Sequence, residues 1–386
     1  LLIDKFDKNL YIMEKLNYTT DTFLKKTEDA SQYYDMIVFC HLRWQFVYQR
    51  PQHIISRMAK DYKILFIEEP VHFNENEENT GNLIKVNENL HVLQPRVRSI
   101  ADIKNILPKF IINKNVEIGW FYSASFSIML NEINFSTVVY DCMDELTLFK
   151  NAPQELIAQE KYLMQEASIV FTGGKSLYES KKQFHDNVYC FPSSVDQEHF
   201  AKAMNGIEIP EDIASIPFPI VGYFGVIDER LNLEMVNQTA QLQPDVSFVM
   251  IGPVAKISEE DLPRQKNIHY LGMKQYENLP QYLKAFTIAM MPFALNDATK
   301  FISPTKTLEY MAAGRPIIST PIKDVVRDYS SCVEIIETAE DFSKAIDTIL
   351  KNPKDLSVRL SYKDILDKTS WNNTAAQMKK IIKVTK

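Results

Sequence analysis

The chain has 386 residues, 45% of them hydrophobic and 24% charged, with 43 basic and 50 acidic side chains and a formal net charge of −7. This is the balance of an ordinary globular protein long enough for two domains, and its acidic excess argues against nucleic acid as the main partner. No apolar run approaches the ~18 residues of a membrane-spanning helix, and the first residues carry charges where a secretory signal needs its apolar segment.

A cytoplasmic protein is therefore expected. The first residue, Leu1, fits a chain trimmed or cut from a longer one. Residues 1–34 are mostly polar and define no clear element. MIVFC (36–40), KILFIEE (63–69), VEIGWFY (116–122), TVVYDC (137–142), SIVFTGG (168–174) and NVYCFP (187–192) predict strands buried on both faces. Amphipathic stretches such as RPQHIISRMAK and PQELIAQEKYLMQEA separate several of them, and 74–89 reads as a polar loop or hairpin. The four cysteines form no CxxC pair; Cys40, Cys142 and Cys190 fall in strand-like runs and read as buried thiols of a reducing compartment.

Residues 193–218, rich in proline after Gly206, predict an interdomain linker. The alternation then resumes with PIVGYFG (219–225), VSFVMIG (246–252), NIHYLG (267–272), AFTIAMMPF (285–293), RPIIST (315–320) and CVEII (332–336), and WNNTAAQMKKIIKVTK predicts a terminal helix. The expected fold class is α/β: two Rossmann-like doubly wound domains facing a cleft, residues 1–195 (with 1–34 as an extension) and 219–370. The helix at 371–386 is expected to pack back on the N-terminal domain.

Several familiar motifs are missing. There is no GxGxxG, GGKS (173–176) lacks the first glycine of a phosphate-binding P-loop, and DCMD (141–144) spaces its aspartates by three rather than two. No HExxH and no Cys/His cluster points to a metal, so none is expected. ISPTKTLEYMAAGRPIIST (302–320) is more informative. Ser303 predicts an N-cap, Pro304 the first helical position and Gly314 the C-terminal stop. The first-turn amides of Thr305 and Lys306, with the helix dipole and the Lys306 ammonium, suit phosphate. Glu309, on the same face, suits the two hydroxyls of a ribose. A capped amphipathic helix with an exposed Lys–Glu pair is the plainer reading. GYFGVIDERLN (222–232) favours the ligand reading, because Gly222 and Gly225 permit close backbone approach and Arg230 can reach a diphosphate. Further glycines end the next strands at Gly252 and Gly272.

WQFVYQRPQHI (44–54), VVYDCMDEL (138–146), FTGGKSLYE (171–179), CFPSSVD (190–196), GYFGVIDERLN and MPFALNDATKFISPTKTLEYMAAGRPIIST (291–320) together resemble the GT-B-fold, nucleotide-sugar-dependent glycosyltransferases. The resemblance is to the bacterial branch of teichuronic acid and exopolysaccharide biosynthesis, and it covers residues 36 to 340. It implies a C-terminal domain that binds the nucleotide sugar and an N-terminal domain that presents the acceptor. By that resemblance Glu309 holds the ribose; Ser303, Thr305, Lys306 and Arg230 hold the phosphates beside Gly225; and Gly272, Met273 and Lys274 border the base. Many retaining relatives carry a glutamate where this chain has Phe301, which leaves donor identity and the retaining assignment open. For a general base the resemblance offers YDCMDEL, with Asp144 favoured over Asp141 and Glu145; helix capping is the competing role for all three. Trp44, Arg50 and His53 are candidates for acceptor binding, with core packing as the alternative.

The function implied is transfer of a sugar, without metal or cofactor, from a nucleotide diphosphate sugar to a hydroxyl of a cell-surface glycan or lipid-linked acceptor. A nucleotide-sugar epimerase of the same fold, or a binding module without chemistry, are the alternatives. IKNILPKFIINKN (103–115) mixes lysines with bulky apolar residues and raises a peripheral membrane contact at the inner face of the plasma membrane, against a loop-and-strand reading.

Overall fold

A computed structural model describes the backbone of residues 25–26 and residues 31–70, 78–149, 152–352 and 362–385. The chain divides into two compact units, Leu1–Phe191 with Asn372–Lys386, and Pro192–Trp371.

The first unit is built on a sheet of β1 (Lys25–Lys26), β2 (Met36–Cys40), β3 (Ile64–Glu68), β4 (Thr80–Asn87), β5 (Leu90–Arg96), β6 (Asn115–Phe121), β7 (Asn134–Cys142), β8 (Ile169–Thr172) and β9 (Val188–Cys190). Their spatial order is β1-β4-β5-β3-β2-β6-β7-β8-β9. From β5 to β9 every pairing is parallel, and β4 turns back antiparallel on β5. Every residue of β2 and β3 is buried, as strands covered by helices on both faces must be. Helices α1 (Arg50–Met58), α2 (Glu155–Glu166) and α3 (Lys175–Lys181) lie in the crossovers.

The polar stretch that reads as a loop or hairpin is, over its described part, the β4–β5 hairpin, and β5 escapes a sequence reading because Pro95 interrupts its apolar run. Most of the apolar side chains of segment 103–115 are not at the surface. Ile103, Ile106, Leu107, Phe110 and Ile111 are buried, because two 3-10 turns, Ile100–Asn105 and Leu107–Lys109, roll them inward, and of the bulky apolar residues Ile112 alone is exposed. Most of the proposed extension 1–34 lies outside the described residues.

The second unit carries β10 (Ile220–Phe224), β11 (Ser247–Ile251), β12 (Ile268–Tyr270), β13 (Ile288–Met291), β14 (Ile317–Ser319) and β15 (Glu334–Ile335), in the order β12-β11-β10-β13-β14-β15. All pairings are parallel. The direction of winding reverses between β10 and β13, and ligands of such sheets bind at the carboxyl ends of the strands flanking that point. Around the sheet run α4 (Gln197–Ala201), α5 (Glu211–Ala214), α6 (Leu233–Leu242), α7 (Leu279–Ala285), α8 (Thr305–Ala312), α9 (Lys323–Tyr329) and α10 (Ala339–Lys351).

Residues 193–218 are not a separate linker. Val195, Phe200, Ala203, Ile213 and Ile216 are part of the core of the second unit, so the prolines bend a packed segment rather than free a tether. The terminal helix α11 (Trp371–Thr385) crosses from one unit to the other in sequence. From Asn372 onward it belongs to the first unit, where Arg57 Nε donates to Asn372 Oδ1 at 2.7 Å and Lys379 pairs with Asp61. Ala375, Met378 and Ile382 are buried there.

Candidate active site

The loops that follow β10, β11 and β12 are held together through glycine backbone. Gly225 N–H donates to Ile251 O at 2.8 Å, and Gly252 N–H to Gly272 O at 2.9 Å. Gly225 and Gly252 have φ of 141° and 145°, and a Cβ at Gly252 would stand 1.9 Å from the Gly225 carbonyl oxygen. Only glycine satisfies that geometry. Beyond them Gly272, at φ 66°, is exposed with open space where a side chain would be.

Helix α8 starts beside this edge. Its N-cap is Pro304, without a side-chain hydrogen bond, so Ser303 stands one residue outside the helix and does not cap it. Proline's fixed φ and missing N–H let it take the half-helical position. Ser303 and Thr305 are instead tied to Ser193, whose hydroxyl donates to Ser303 O and accepts from Thr305 Oγ1, both at 2.9 Å. At the other end Gly314, at φ 64°, closes the helix: its N–H meets Met311 O, and that of Arg315 meets Tyr310 O, the paired bonds of a Schellman stop.

From the first turn Lys306 reaches back across the end of β10. A Cβ at Gly225 would lie 2.2 Å from Lys306 Cε and 2.7 Å from its Nζ, so the absence of a side chain there makes the channel for the lysine. The ammonium lies 5.7 Å from the centre of the Tyr223 ring. Glu309, one turn on, is 7% exposed; burial pushes its carboxyl up to about 7, against the pull of Lys306. Tyr223 lies between the charged groups. Its hydroxyl donates to Val226 O at 3.0 Å, and burial raises its pKa, with Arg230 pulling it down and Asp228 and Glu309 pushing it up.

Arg230 is held by its own turn. Its Nε donates to both carboxylate oxygens of buried Asp228 at 3.0 Å, and its Nη2 to Oδ2 at 2.7 Å. The turn is fastened to the loop after β13, where Ala294 N–H donates to Arg230 O at 2.8 Å. Gly225, Arg230, Lys306 and Glu309 therefore gather at the carboxyl ends of β10 and β13, the switch point of the sheet. Ser303 and Thr305 lie at the helix start. Met273 is half-buried in the loop after β12. Lys274 is turned to Asp212 at 2.7 Å, over the Tyr282 ring, and serves to anchor that loop.

In the first unit the candidate carboxylates Asp141 and Glu145 are held in ion pairs. Asp141 is fully buried and clamped by Arg50, whose Nε and Nη2 donate to it at 2.8–3.2 Å while Nη1 donates to Phe191 O at 2.7 Å. Glu145 shares Lys181 with Glu160, at 2.7 Å each. Asp144 stands half-buried between them in the loop after β7. Arg50 and His53, placed among acceptor ligands by the sequence, are buried: one joins three elements, and the other packs edge-on to Tyr48 at 4.7 Å. Trp44 is half-buried, its ring edge-on to Phe66, and its backbone N–H donates to Glu68 Oε1 at 2.8 Å.

Residues 219–352 match the family model described as Glycosyl transferases group 1. Residues 219–352 of the second unit are a group 1 glycosyl transferase domain. The Bacillus subtilis (strain 168) protein named "Putative teichuronic acid biosynthesis glycosyltransferase TuaH" is 22% identical over 286 residues, 69% of this chain and 72% of that one. Among solved structures, sucrose-phosphate synthase from Thermosynechococcus elongatus superposes with a TM-score of 0.64 at 13% identity, covering 90% of this chain and 98% of that one. Anabaena HepE, solved in complex with UDP and glucose, gives 0.62 at 13% identity, covering 91% and 100%. The fold is the α/β fold of the GT-B glycosyltransferases.

Two residues of this glycosyl transferase domain escaped the sequence reading. Tyr223 looks like one more core aromatic in a buried strand, and Asp228 like one more acid in a polar turn. The D-x-R spacing of Asp228 and Arg230 was the available signal, since a carboxylate two residues before an arginine can fork onto it within one turn.

Proposed function

We propose that this glycosyltransferase moves a sugar from a nucleotide diphosphate sugar, with a UDP-sugar as the first donor to test, to a hydroxyl of a cell-surface glycan or lipid-linked acceptor. The observation that carries the reading is the reach of Lys306 from the start of α8 into the space left by Gly225, with buried Glu309 one turn behind it. An ammonium at a helix N-terminus suits a diphosphate, and a desolvated carboxylate suits a diol. The group 1 match and the likeness to a teichuronic acid transferase support transfer over epimerisation or binding alone.

In this scheme the acceptor oxygen bonds to the anomeric carbon as the bond from that carbon to the diphosphate breaks. The electron pair leaves with the diphosphate, and Lys306, Arg230 and the α8 dipole stabilise the charge that develops. Asp144, half-buried just past the carboxyl end of β7, takes the acceptor proton. Cation charge supplied by side chains makes a metal dispensable, so the rate in EDTA should stay within about twofold of the untreated rate. The site of action proposed is the cytoplasmic face; no helix among the described residues is long and apolar enough to cross a membrane.

The test is release of nucleoside diphosphate and formation of glycosylated product from a donor panel with membrane-derived acceptors. Asp144→Asn should lower kcat by roughly 10²–10⁴ with donor KM little changed. An isomerised donor formed without acceptor would instead establish an epimerase, and nucleotide binding without turnover a binding module.

A further inference from the structure

Glu229 lies beside Arg230 and has no role in the scheme above. Both its carboxylate oxygens are buried, and neither accepts a hydrogen bond; no other carboxylate among the described residues is in that state. Its side chain is 13% exposed, and Lys256 Nζ is 3.7 Å from Oε1, within ion-pairing range but beyond a hydrogen bond. Lys256 itself has a φ of 60°, the one non-glycine residue with positive φ among the described residues. A carboxylate out of water without hydrogen bonds is costly, and so is a left-handed backbone on a lysine; such costs concentrate where a ligand is received.

The position of the pair points to which ligand. Ile227 N–H donates to Pro253 O at 2.9 Å and Ala255 N–H to Ile227 O at 3.0 Å, so the loops after β10 and β11 run on side by side past the ends of their strands. Asn296, in the loop after β13, donates its side-chain amide to Glu229 O at 3.0 Å. Glu229 and Lys256 thus stand where the three strand-end loops meet, next to the arginine assigned to the diphosphate. A carboxylate with two oxygens to satisfy accepts two neighbouring hydroxyls, and an ammonium beside it donates to a hydroxyl oxygen.

We propose that Glu229 and Lys256 form the subsite that binds the hydroxyls of the donor's sugar ring, as distinct from its nucleotide. This assignment rests on the nucleotide-sugar reading of the site. It is tested by calorimetric titration of UDP-glucose, UDP-N-acetylglucosamine and GDP-mannose, each against its free nucleoside diphosphate, on wild type, Glu229→Gln and Lys256→Met. For the nucleotide sugar that wild type binds most tightly, Glu229→Gln should raise Kd at least tenfold while the free diphosphate stays within twofold; Lys256→Met should act in the same direction. Retained diphosphate binding also shows that the variant is folded. The subsite is overturned if Glu229→Gln binds the nucleotide sugar like wild type, or if both constants rise together. If wild type binds no diphosphate at all, the nucleotide-site reading itself falls and takes the subsite with it.

Discussion

Glu309 keeps a carboxyl where water barely reaches, and its pKa of about 7 compares with an ordinary value of 4.5. Because the folded value is the higher one, its contribution to stability is full below pH 4.5 and is lost as pH rises to about 7. The ionised form then costs about 3 kcal/mol at ~1.4 kcal/mol per unit. Glu309→Gln should therefore raise the melting temperature of the ligand-free protein at pH 8, while removing the stabilisation that nucleotide brings. A variant no more stable at pH 8 than wild type would contradict the burial argument. Arg50 and Asp141 show the opposite economy, two buried charges that satisfy each other. Arg50→Ala leaves a carboxylate without its partner and should cost about 3–5 kcal/mol, read as the shift in the denaturation midpoint. This pair could not be read in the sequence. Its members are 91 residues apart, and each alone looks like a ligand residue.

At the scale of elements, the strand ends are shaped by what a side chain would displace. At Gly225 the first obstacle to a Cβ is the flexible end of Lys306, whereas at Gly252 it is the Gly225 carbonyl. Gly225→Ala should therefore weaken nucleotide binding by tenfold or more, at the further cost of strain at φ 141°. Gly252→Ala, which must move backbone, should first lower the melting temperature. Equal effects on binding and stability at both positions would contradict this division. The elements themselves were largely legible, because buried parallel strands are short β-branched and aromatic runs between amphipathic helices. Capping was legible only to within a residue. Ser303 is a good cap by type, yet Pro304 takes the position and Ser303 goes to Ser193, 110 residues away. The reach of Lys306 to Gly225 was legible only as a pattern of glycines and a lysine whose meeting depends on the sheet order.

For the whole molecule, two units share one chain, and the last helix returns to the first of them. Met378 and Ile382 are fully buried in it. Each such side chain contributes roughly 1.5–3 kcal/mol, so deleting residues 372–386 should destabilise the first unit by at least about 3 kcal/mol. Nucleotide should still raise the second unit's melting point in that variant, since every residue assigned to nucleotide lies in Pro192–Trp371. The chain-wide alternation of strands and helices already spoke for two doubly wound units; that 193–218 packs into the second unit did not show, because its prolines look the same in a bent packed segment as in a tether.

The central claim is that the start of α8 and the end of β10 hold a nucleoside diphosphate, and the most direct measurement is thermal unfolding of wild type and Lys306→Ala with UDP, GDP, ADP and dTDP. One diphosphate at ~100 times its Kd should stabilise wild type by about 2.7 kcal/mol, and Lys306→Ala should lose that shift. No shift with any diphosphate at millimolar concentration, or an undiminished shift in Lys306→Ala, would contradict the account.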